Sequence, residues 1–173
     1  MTRRQAVRIA KSPVTWILVA DGRRAQVYTR EKVEKMIPLE RQRNRFEETI
    51  AHEPVPIPGM KWEAESAEQY QVGRNAIGMV FDSASSSRSM SEPHLDVREE
   101  IKLHLARTIA EQLNIAKLNK AFDRLVLIAS PKMLGEIKKY LDEKVLRLVI
   151  AEMPKDLTHF DAEELENHLG YIA

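Results

Sequence analysis

The 173-residue sequence contains no cysteine. This absence excludes disulfide bonds, thiolate metal sites and a cysteine nucleophile, and it is typical of proteins of reducing compartments. No apolar run approaches the roughly 20 residues that a membrane-spanning helix requires. Arg3, Arg4 and Arg8 precede a short apolar segment, but charged residues follow that segment at once, unlike a secretory signal. The sequence therefore predicts a cytoplasmic protein that is not embedded in a membrane.

An excess of charge of one sign is also lacking, because the formal net charge is +1. The chain as a whole therefore has no strong attraction to nucleic acid or to an anionic membrane. Hydrophobic residues make up 43% of the sequence, which is enough for one ordinary core. We expect a flexible basic arm over residues 1–12 and a single domain over residues 13–173.

Motifs that would define a reaction are absent: there is no HExxH, no P-loop and no G-x-S-x-G. His94, Asp96 and His104 are a weak metal-ligand set, because the further histidine or thiolate ligands of a zinc site are missing. Asp21 and Asp123 flank two predicted strands and could hold magnesium, but no third carboxylate can be assigned to them. We therefore expect no metal and no cofactor.

The clearest structural signal is Trp16–Tyr28, which is an apolar run, a turn and a second run that alternates. It predicts an antiparallel hairpin with strands at 15–20 and 25–30, and a third strand at 33–39 returns antiparallel. Gly22 is expected at the turn because glycine accepts a positive φ. Residues 125–130 are continuously apolar and predict a strand buried on both faces.

Further elements follow from periodicity and from helix-capping residues. Apolar spacings of three and four predict a long amphipathic helix from Pro93 to about residues 116–119. Pro131 opens a helix that ends near residue 140, and Asp142 is the expected N-cap of a short helix. Residues 149–153 predict a last strand. Asp161 and Glu164 predict a capping box on the final helix.

Residues 44–92 are predicted to be a long irregular insert, because prolines and small polar residues interrupt any periodicity there. A short helix is an option at residues 62–70. The order of the elements predicts an α/β fold: one mixed β-sheet with an N-terminal antiparallel hairpin or meander, flanked by helices.

Two polar regions are candidate sites. The N-terminal meander is locally basic and includes Arg23 and Arg24, although the whole chain is nearly neutral. The serine-rich run at residues 83–91 includes Arg88. That run is either a flexible polar loop or a surface whose charge and hydroxyl groups contact RNA phosphates.

A compact polar segment, Lys155-Asp156-Leu157-Thr158-His159, lies between a predicted strand and a capped helix. Its mixed charge and histidine could serve proton transfer or ligand binding. Alternatively, Asp156 and Thr158 could satisfy backbone amides of the loop, which would make the segment a structural corner. The structural corner is the favoured interpretation, because polar residues are common in loops for structural reasons as well as for function.

Several segments resemble, in order, the bacterial host attachment protein family. They are WILVADGRRA at residues 16–25, FDRLVLIASPKMLG at 122–135 and KDLTH at 155–159, with looser matches at 81–83 and 92–94. The resemblance extends over about residues 14–169. The family is itself similar to the central domain of archaeal and eukaryotic translation release factors, which is a ribonuclease-H-like α/β domain.

This resemblance implies a ribonuclease-H-like mixed sheet and an association with RNA or the ribosome. By order along the chain, the loop that carries Gly-Gly-Gln in release factors corresponds to residues 83–91. These residues contain neither glycine nor glutamine, so peptidyl-tRNA hydrolysis by that motif is not expected. The family name suggests adhesion, and the lack of a secretion signal, an anchor and disulfides favours an indirect role.

The leading expectation is a non-catalytic RNA- or ribosome-associated domain. Its RNA-binding candidates are Arg23, Arg24, Arg74 and Arg88. Two alternatives stay open. One is a protein-interaction module that acts indirectly in attachment to host cells and has a protein partner. The other is a hydrolase of peptidyl-tRNA or nucleic acid that uses Asp21, Asp123 or the Asp156–His159 corner.

Overall fold

The structure, a computed structural model, describes residues 12–38, 46–70 and 93–170. The strands are β1 (Thr15–Ala20), β2 (Arg24–Pro38), β3 (Phe46–Glu63), β4 (Arg124–Ala129) and β5 (Val149–Met153). The helices are α1 (Pro93–Leu118), α2 (Pro131–Tyr140), α3 (Glu143–Leu146) and α4 (Ala162–Leu169), and residues 67–70 add one helical turn. Residues 1–11 of the predicted arm, Arg74, Arg88 and the serine-rich run lie outside the described residues.

The five strands form one mixed sheet in the order β3-β2-β1-β4-β5. β1 pairs antiparallel with β2 and parallel with β4, and β4 pairs parallel with β5. The carboxyl ends of β1, β4 and β5 therefore lie at the same end of the sheet. We call this end of the strands the carboxyl edge, as distinct from the outer strands β3 and β5. Helices cover both faces of the sheet, so the predicted α/β fold with a mixed, helix-flanked sheet is confirmed.

The central strand β1 contributes to a hydrophobic core on each face of the sheet. Because successive side chains of a strand point to opposite faces, Trp16, Leu18 and Ala20 share one face while Ile17 and Val19 share the other. The first face packs against α1, α2 and α3, where the buried residues include Ile109, Leu113, Ile137 and Val145. The second face packs against α4 and the segment before it through Leu157, Leu165 and Leu169. β4 is buried on both faces, as its apolar run predicted.

The prediction of two separate strands at residues 25–30 and 33–39 was wrong. β2 continues from Arg24 to Pro38, and the strand that returns antiparallel is β3. Only residues 25–29 of β2 pair with β1, so the far part of β2 pairs with β3 alone and forms a two-stranded ribbon. The ribbon extends past the end of β1, so among the described strands its part of β2 has β3 as a neighbour on one side only. Its sequence is rich in charged residues, as is usual for a surface segment.

The prediction of an irregular insert was also wrong for residues 46–63, which form β3. Pro54 and Pro56 lie within this strand and face Arg30 and Tyr28 of β2. Because N–H groups alternate between the two edges of a strand, prolines two residues apart remove donors on one edge only. β3 is the outer strand of the sheet, so its open edge tolerates those missing donors.

The capping residues predicted from the sequence form hydrogen bonds in the last helix, α4, but not in the short α3. The Asp161 side chain accepts a hydrogen bond from the Glu164 N–H at 2.9 Å, and the Glu164 carboxylate accepts from the Asp161 N–H at 3.1 Å. The predicted capping box is therefore confirmed. Asp142 does occupy the N-cap position of α3, but its side chain makes no capping hydrogen bond. Its backbone N–H instead donates to the Asn114 side-chain oxygen of α1 at 2.9 Å.

Leu18→Ala should be strongly destabilising, because Leu18 is completely buried in the central strand. Removal of its side chain leaves a cavity between β1 and the helices on the first face, so we expect the free energy of unfolding to fall by about 2–5 kcal/mol. Urea denaturation measures this loss. Leu118→Ala is the matched control because Leu118 is 72% exposed, and it should change stability by less than about 0.5 kcal/mol. Equal losses would contradict the described core.

Candidate functional site

The turn between β1 and β2 is closed by the carboxylate of Asp21. Its Oδ1 atom accepts hydrogen bonds from the N–H groups of Arg23 at 2.6 Å and Arg24 at 2.8 Å. The Asp21 N–H donates to the Arg24 carbonyl oxygen at 2.9 Å. A short acidic side chain that bonds backbone amides two and three residues ahead replaces part of a backbone turn. Asp21 is therefore a structural residue of the hairpin.

Gly22 does not have the positive φ that the sequence predicted, since Gly59 has the one positive glycine φ among the described residues. Glycine fits this position because there is little space for a side chain. A Cβ atom at Gly22 would lie 3.2 Å from Cε and 3.3 Å from Cδ of Lys102. The absence of a side chain allows the aliphatic part of Lys102, which belongs to α1, to lie directly against the turn.

The second component of the site is the segment Lys155–His159, which follows β5 at the carboxyl edge. Leu157 points into the core of the second face, which anchors the segment. The Asp156 Oδ1 atom accepts from the Thr158 N–H at 3.1 Å. Asp156 thus satisfies a loop amide, in agreement with the structural interpretation of this corner.

Thr158 joins this corner to the hairpin turn. Its Oγ1 atom lies 2.7 Å from Oδ2 of Asp21 and 2.8 Å from Oδ1 of Asp156. A hydroxyl group has one proton to donate, so it can satisfy only one of these two carboxylates at a time. The structure therefore brings together two acidic side chains that are far apart in sequence, with a single hydroxyl between them.

A second link joins Arg24 to His159. The Arg24 Nη2 atom is in hydrogen-bond contact with Nδ1 of the His159 ring, and its Nε atom lies 3.6 Å from Oδ2 of Asp21. Because a guanidinium group only donates hydrogen bonds, the contacted ring nitrogen must be the acceptor. Arg24 is thus engaged within the site, whereas Arg23 beside it is exposed.

The surroundings of Asp21 act on its pKa in two directions. Partial burial raises the pKa because it disfavours the charged form. The hydrogen bond from Thr158, the two backbone N–H groups and the positive charge of Arg24 lower it, and together they prevail. The pKa of Asp21 is therefore below its ordinary value of 3.8, and the carboxylate is ionised at neutral pH.

Asp21, Asp156 and His159 are the described residues that could hold a metal ion. One ligand atom from each lies within 4.8 Å of the others. Arg24 already contacts His159 and Asp21, so a cation would first have to displace a guanidinium group from these ligands. Two carboxylates and one histidine also leave the remaining coordination positions to water or substrate.

Other residues considered as metal or catalytic groups are not brought together. Asp123 precedes β4 and accepts a hydrogen bond from the Val14 N–H at 2.9 Å. It therefore lies at the edge opposite to Asp21, and the hypothesis of a shared magnesium site of Asp21 and Asp123 was wrong. His104 is exposed and makes a T-shaped ring contact with Tyr70. The side chains of His94 and Asp96 lie outside the described part of the chain.

Three charged residues beside the turn were not among the predicted site residues. Glu99 and Lys102 lie on α1, and Lys132 lies in the first turn of α2. The Glu99 carboxylate binds both ammonium groups, at 3.0 Å for Lys102 Nζ and through a direct ion pair with Lys132. Lys132 belongs to the family-like segment at residues 122–135, but that segment gives it no role, and charged positions of amphipathic helices usually face solvent.

The fold and the site define a class of protein: an α/β domain with a mixed five-stranded sheet and a polar cluster at the carboxyl ends of its parallel strands. Residues 16–169 match the sequence profile of a family described as proteins required for attachment to host cells, and the chain belongs to this family. The match includes the hairpin turn and the Lys155–His159 corner, so both halves of the site lie within it.

A curated relative is an uncharacterized protein, RP470, of Rickettsia prowazekii (strain Madrid E). It is 27% identical to this chain over 101 residues, which cover 57% of this chain and 67% of the relative. Among the described residues, no helix combines the length and the apolar character that crossing a membrane would need.

Thr158→Val tests the link between the turn and the corner. The variant keeps the shape of the side chain but removes the hydrogen bond to Asp21, so we expect the free energy of unfolding at neutral pH to fall by about 1 kcal/mol. Since the folded-state pKa of Asp21 is lowered, the stability it contributes is present above pH 3.8 and is lost as the pH falls through the folded-state value.

The difference between wild type and Thr158→Val should therefore shrink when urea denaturation is repeated below pH 3.8. Thr108→Val is the control, because Thr108 Oγ1 donates at 3.0 Å to the neutral carbonyl oxygen of His104. Its effect should not change over the same pH range. A pH-independent difference for Thr158→Val would show that the hydroxyl does not stabilise the Asp21 carboxylate.

Proposed function

We propose that this member of the host attachment family is a non-catalytic, release-factor-like domain that associates with RNA or the ribosome in the cytoplasm. The observation that carries the proposal is a pair of exposed cations, Arg23 and Lys155, on the two segments that Thr158 joins at the carboxyl edge. Among the described residues, neither side chain has an ion-pair partner. Unpaired cations on adjoining loops are suited to contact successive phosphates.

The position of these cations supports the proposal. In open α/β sheets, ligands bind in the crevice outside the carboxyl ends of the strands. Arg23 follows β1 and Lys155 follows β5, so both lie at this edge. The turn and the corner together carry three cations, Arg23, Arg24 and Lys155, and two carboxylates, Asp21 and Asp156. The formal charge of these two segments is therefore +1, and Arg24 is engaged with Asp21 and His159, which leaves Arg23 and Lys155 for a partner.

The sheet topology supports the release-factor-like part of the proposal. A meander of β1, β2 and β3 followed by β4 and β5, both parallel to β1, agrees with the ribonuclease-H-like sheet that the resemblance implies. Of the four arginines expected to bind RNA, Arg23 is the one that is both described and available. Arg24 supports the site from within, because it binds Asp21 and His159.

Combined replacement of Arg23 and Lys155 by alanine tests this function. We expect weaker binding of a short fluorescently labelled single-stranded RNA, measured by anisotropy at several salt concentrations. The slope of log affinity against log salt should become less steep by about 1.4, since two phosphate contacts are lost. Arg124→Ala with Lys144→Ala is the matched control, because it removes the same two residue types from the opposite edge.

Two results would reject the proposal. One is a wild-type protein that does not bind RNA even at low salt. The other is an equal loss in the two double variants, which would indicate only a response to net charge. A purified protein with a low ratio of absorbance at 260 and 280 nm, together with such a negative result, would favour the alternative of a protein-interaction module in host attachment.

A hydrolase is the second candidate, and the closeness of Asp21, Asp156 and His159 favours it. A carboxylate and a histidine at this separation could activate a water molecule, alone or with a divalent cation. Asp156→Ala and His159→Ala should then each abolish turnover of an RNA or peptidyl-tRNA substrate, with Asp142→Ala as a control on an exposed aspartate elsewhere. Absence of turnover by the wild type, with and without magnesium or manganese, would eliminate this candidate.

A further inference from the structure

A pocket of about 170 Å³ opens beside Gly22 on the other side of the hairpin turn from the Asp21–Thr158 link. It lies where the carboxyl ends of β1 and β4 meet the N-terminal half of α1 and the first turns of α2. Its lining includes two lysines, two glutamates and a serine: Lys102, Lys132, Glu99, Glu136 and Ser130. Neither the family description nor the proposed RNA contacts of Arg23 and Lys155 account for it.

The two lysines of this pocket converge on one carboxylate. Lys102 Nζ lies 3.0 Å from Oε1 of Glu99, and Lys132 Nζ pairs with Oε2 of the same residue. Glu136 is oriented differently, because its Oε1 atom lies 2.7 Å from Nζ of Lys139. The Lys102–Glu99–Lys132 group therefore has one positive charge in excess, whereas the Glu136 charge is balanced by its own partner.

The carboxylate of Glu99 is paired with two lysines but remains accessible to solvent. The side chains of Glu99, Lys102 and Lys132 are 41%, 42% and 67% exposed. Ion pairs with this exposure are weak because solvent screens them, so another anion can replace the carboxylate at small cost. The Ser130 side chain makes no capping hydrogen bond to α2, which leaves its hydroxyl available to such an anion.

The pocket is large enough to admit a phosphate group. Its volume of about 170 Å³ is several times the roughly 30 Å³ that one water molecule takes in the liquid. Two ammonium groups that approach the two oxygens of one anion from different sides would contact the non-bridging oxygens of a phosphate in the same way. The aliphatic chain of Lys102 packs against Gly22, so this lysine lies beside the pocket whether or not its ammonium group is paired with Glu99.

We propose that this pocket is a phosphate subsite and that Glu99 occupies it in the free protein as a built-in competitor. A phosphate of the bound RNA backbone displaces the Glu99 carboxylate and binds between Lys102 and Lys132. The inference deepens the proposed function and rests on it for the source of the phosphate. The chemistry of the pocket itself can be tested without RNA.

Glu99→Gln is the deciding variant, because it removes the competing charge and keeps the size of the side chain. We expect affinity for inorganic pyrophosphate, measured by calorimetric titration, to rise about three- to fivefold, which corresponds to the loss of one weak ion pair. Affinity for the short RNA should rise by a similar factor. Lys102→Met in the Glu99→Gln background should remove both gains, while circular dichroism confirms that each variant is folded.

Glu136→Gln is the matched control, since it makes the same charge change in the same pocket at a residue paired with Lys139. Equal gains in Glu99→Gln and Glu136→Gln, or no gain in Glu99→Gln, would overturn the inference. RNA binding that depends on Arg23 and Lys155 without a gain in Glu99→Gln would leave the proposed function intact and remove the subsite. A pyrophosphate gain in a protein that binds no RNA would support the pocket and reject the proposed function.

Discussion

Burial of β1 on both of its faces is the constraint on which the rest of the structure depends. Its side chains alternate between two separate cores, and its backbone is hydrogen-bonded to β2 on one side and β4 on the other. A shift of one residue would exchange the two sets of side chains between cores of different shape, so the register is strongly fixed. Ala20 is paired on both sides, with Ala25 and Ala129, and Asp21 leaves the sheet from this fixed position.

The geometry of the site at the carboxyl edge depends on the position of that strand. Asp21 organises the turn through its backbone hydrogen bonds and meets the corner through Thr158, so one carboxylate serves both the local turn and the long-range contact. The corner is held independently by Leu157 in the second core. As a result, Arg23 and Lys155 are presented by loops whose bases are anchored, which reduces the conformational entropy lost when a partner binds.

The two sides of the turn differ in what they offer. On one side, Asp21, Asp156 and His159 are joined by Thr158 and Arg24 into a cluster whose groups largely satisfy one another. On the other side, Glu99 satisfies two lysines with a single exposed carboxylate. The first arrangement stabilises the fold, whereas the second is easily exchanged, and this difference is why the pocket beside Gly22 is the stronger candidate for a ligand.

Elements with local signals were predictable from sequence, and those defined by their neighbours were not. β1, β4, β5, the long helix α1 and the capping box of α4 follow from apolar runs, periodicity and capping residues. Residues 33–39 were predicted as a strand, but as a separate one that returns on residues 25–30, whereas they continue β2. The proline-containing β3 was missed, because an edge strand lacks the alternation of a half-buried sheet. Asp156, Thr158 and His159 were recognised as a polar corner.

Their contact with the hairpin turn could not be predicted from spacing, since it requires β1 and β5 to run in the same direction within one sheet. Nothing in the sequence indicated that Glu99, Lys102 and Lys132 would meet. Their meeting depends on how α1 and α2 lie against Gly22, which is a property of tertiary packing.

The central claim is that RNA binds at the carboxyl edge of the sheet, and mapping of backbone amide NMR shifts during titration with a short single-stranded RNA tests it most directly. The account predicts shifts that concentrate at Gly22, Arg23, Lys132 and Lys155 and that weaken as salt is added. Shifts confined to the opposite edge, around Arg124 and Lys144, or no shifts at low salt, would contradict it.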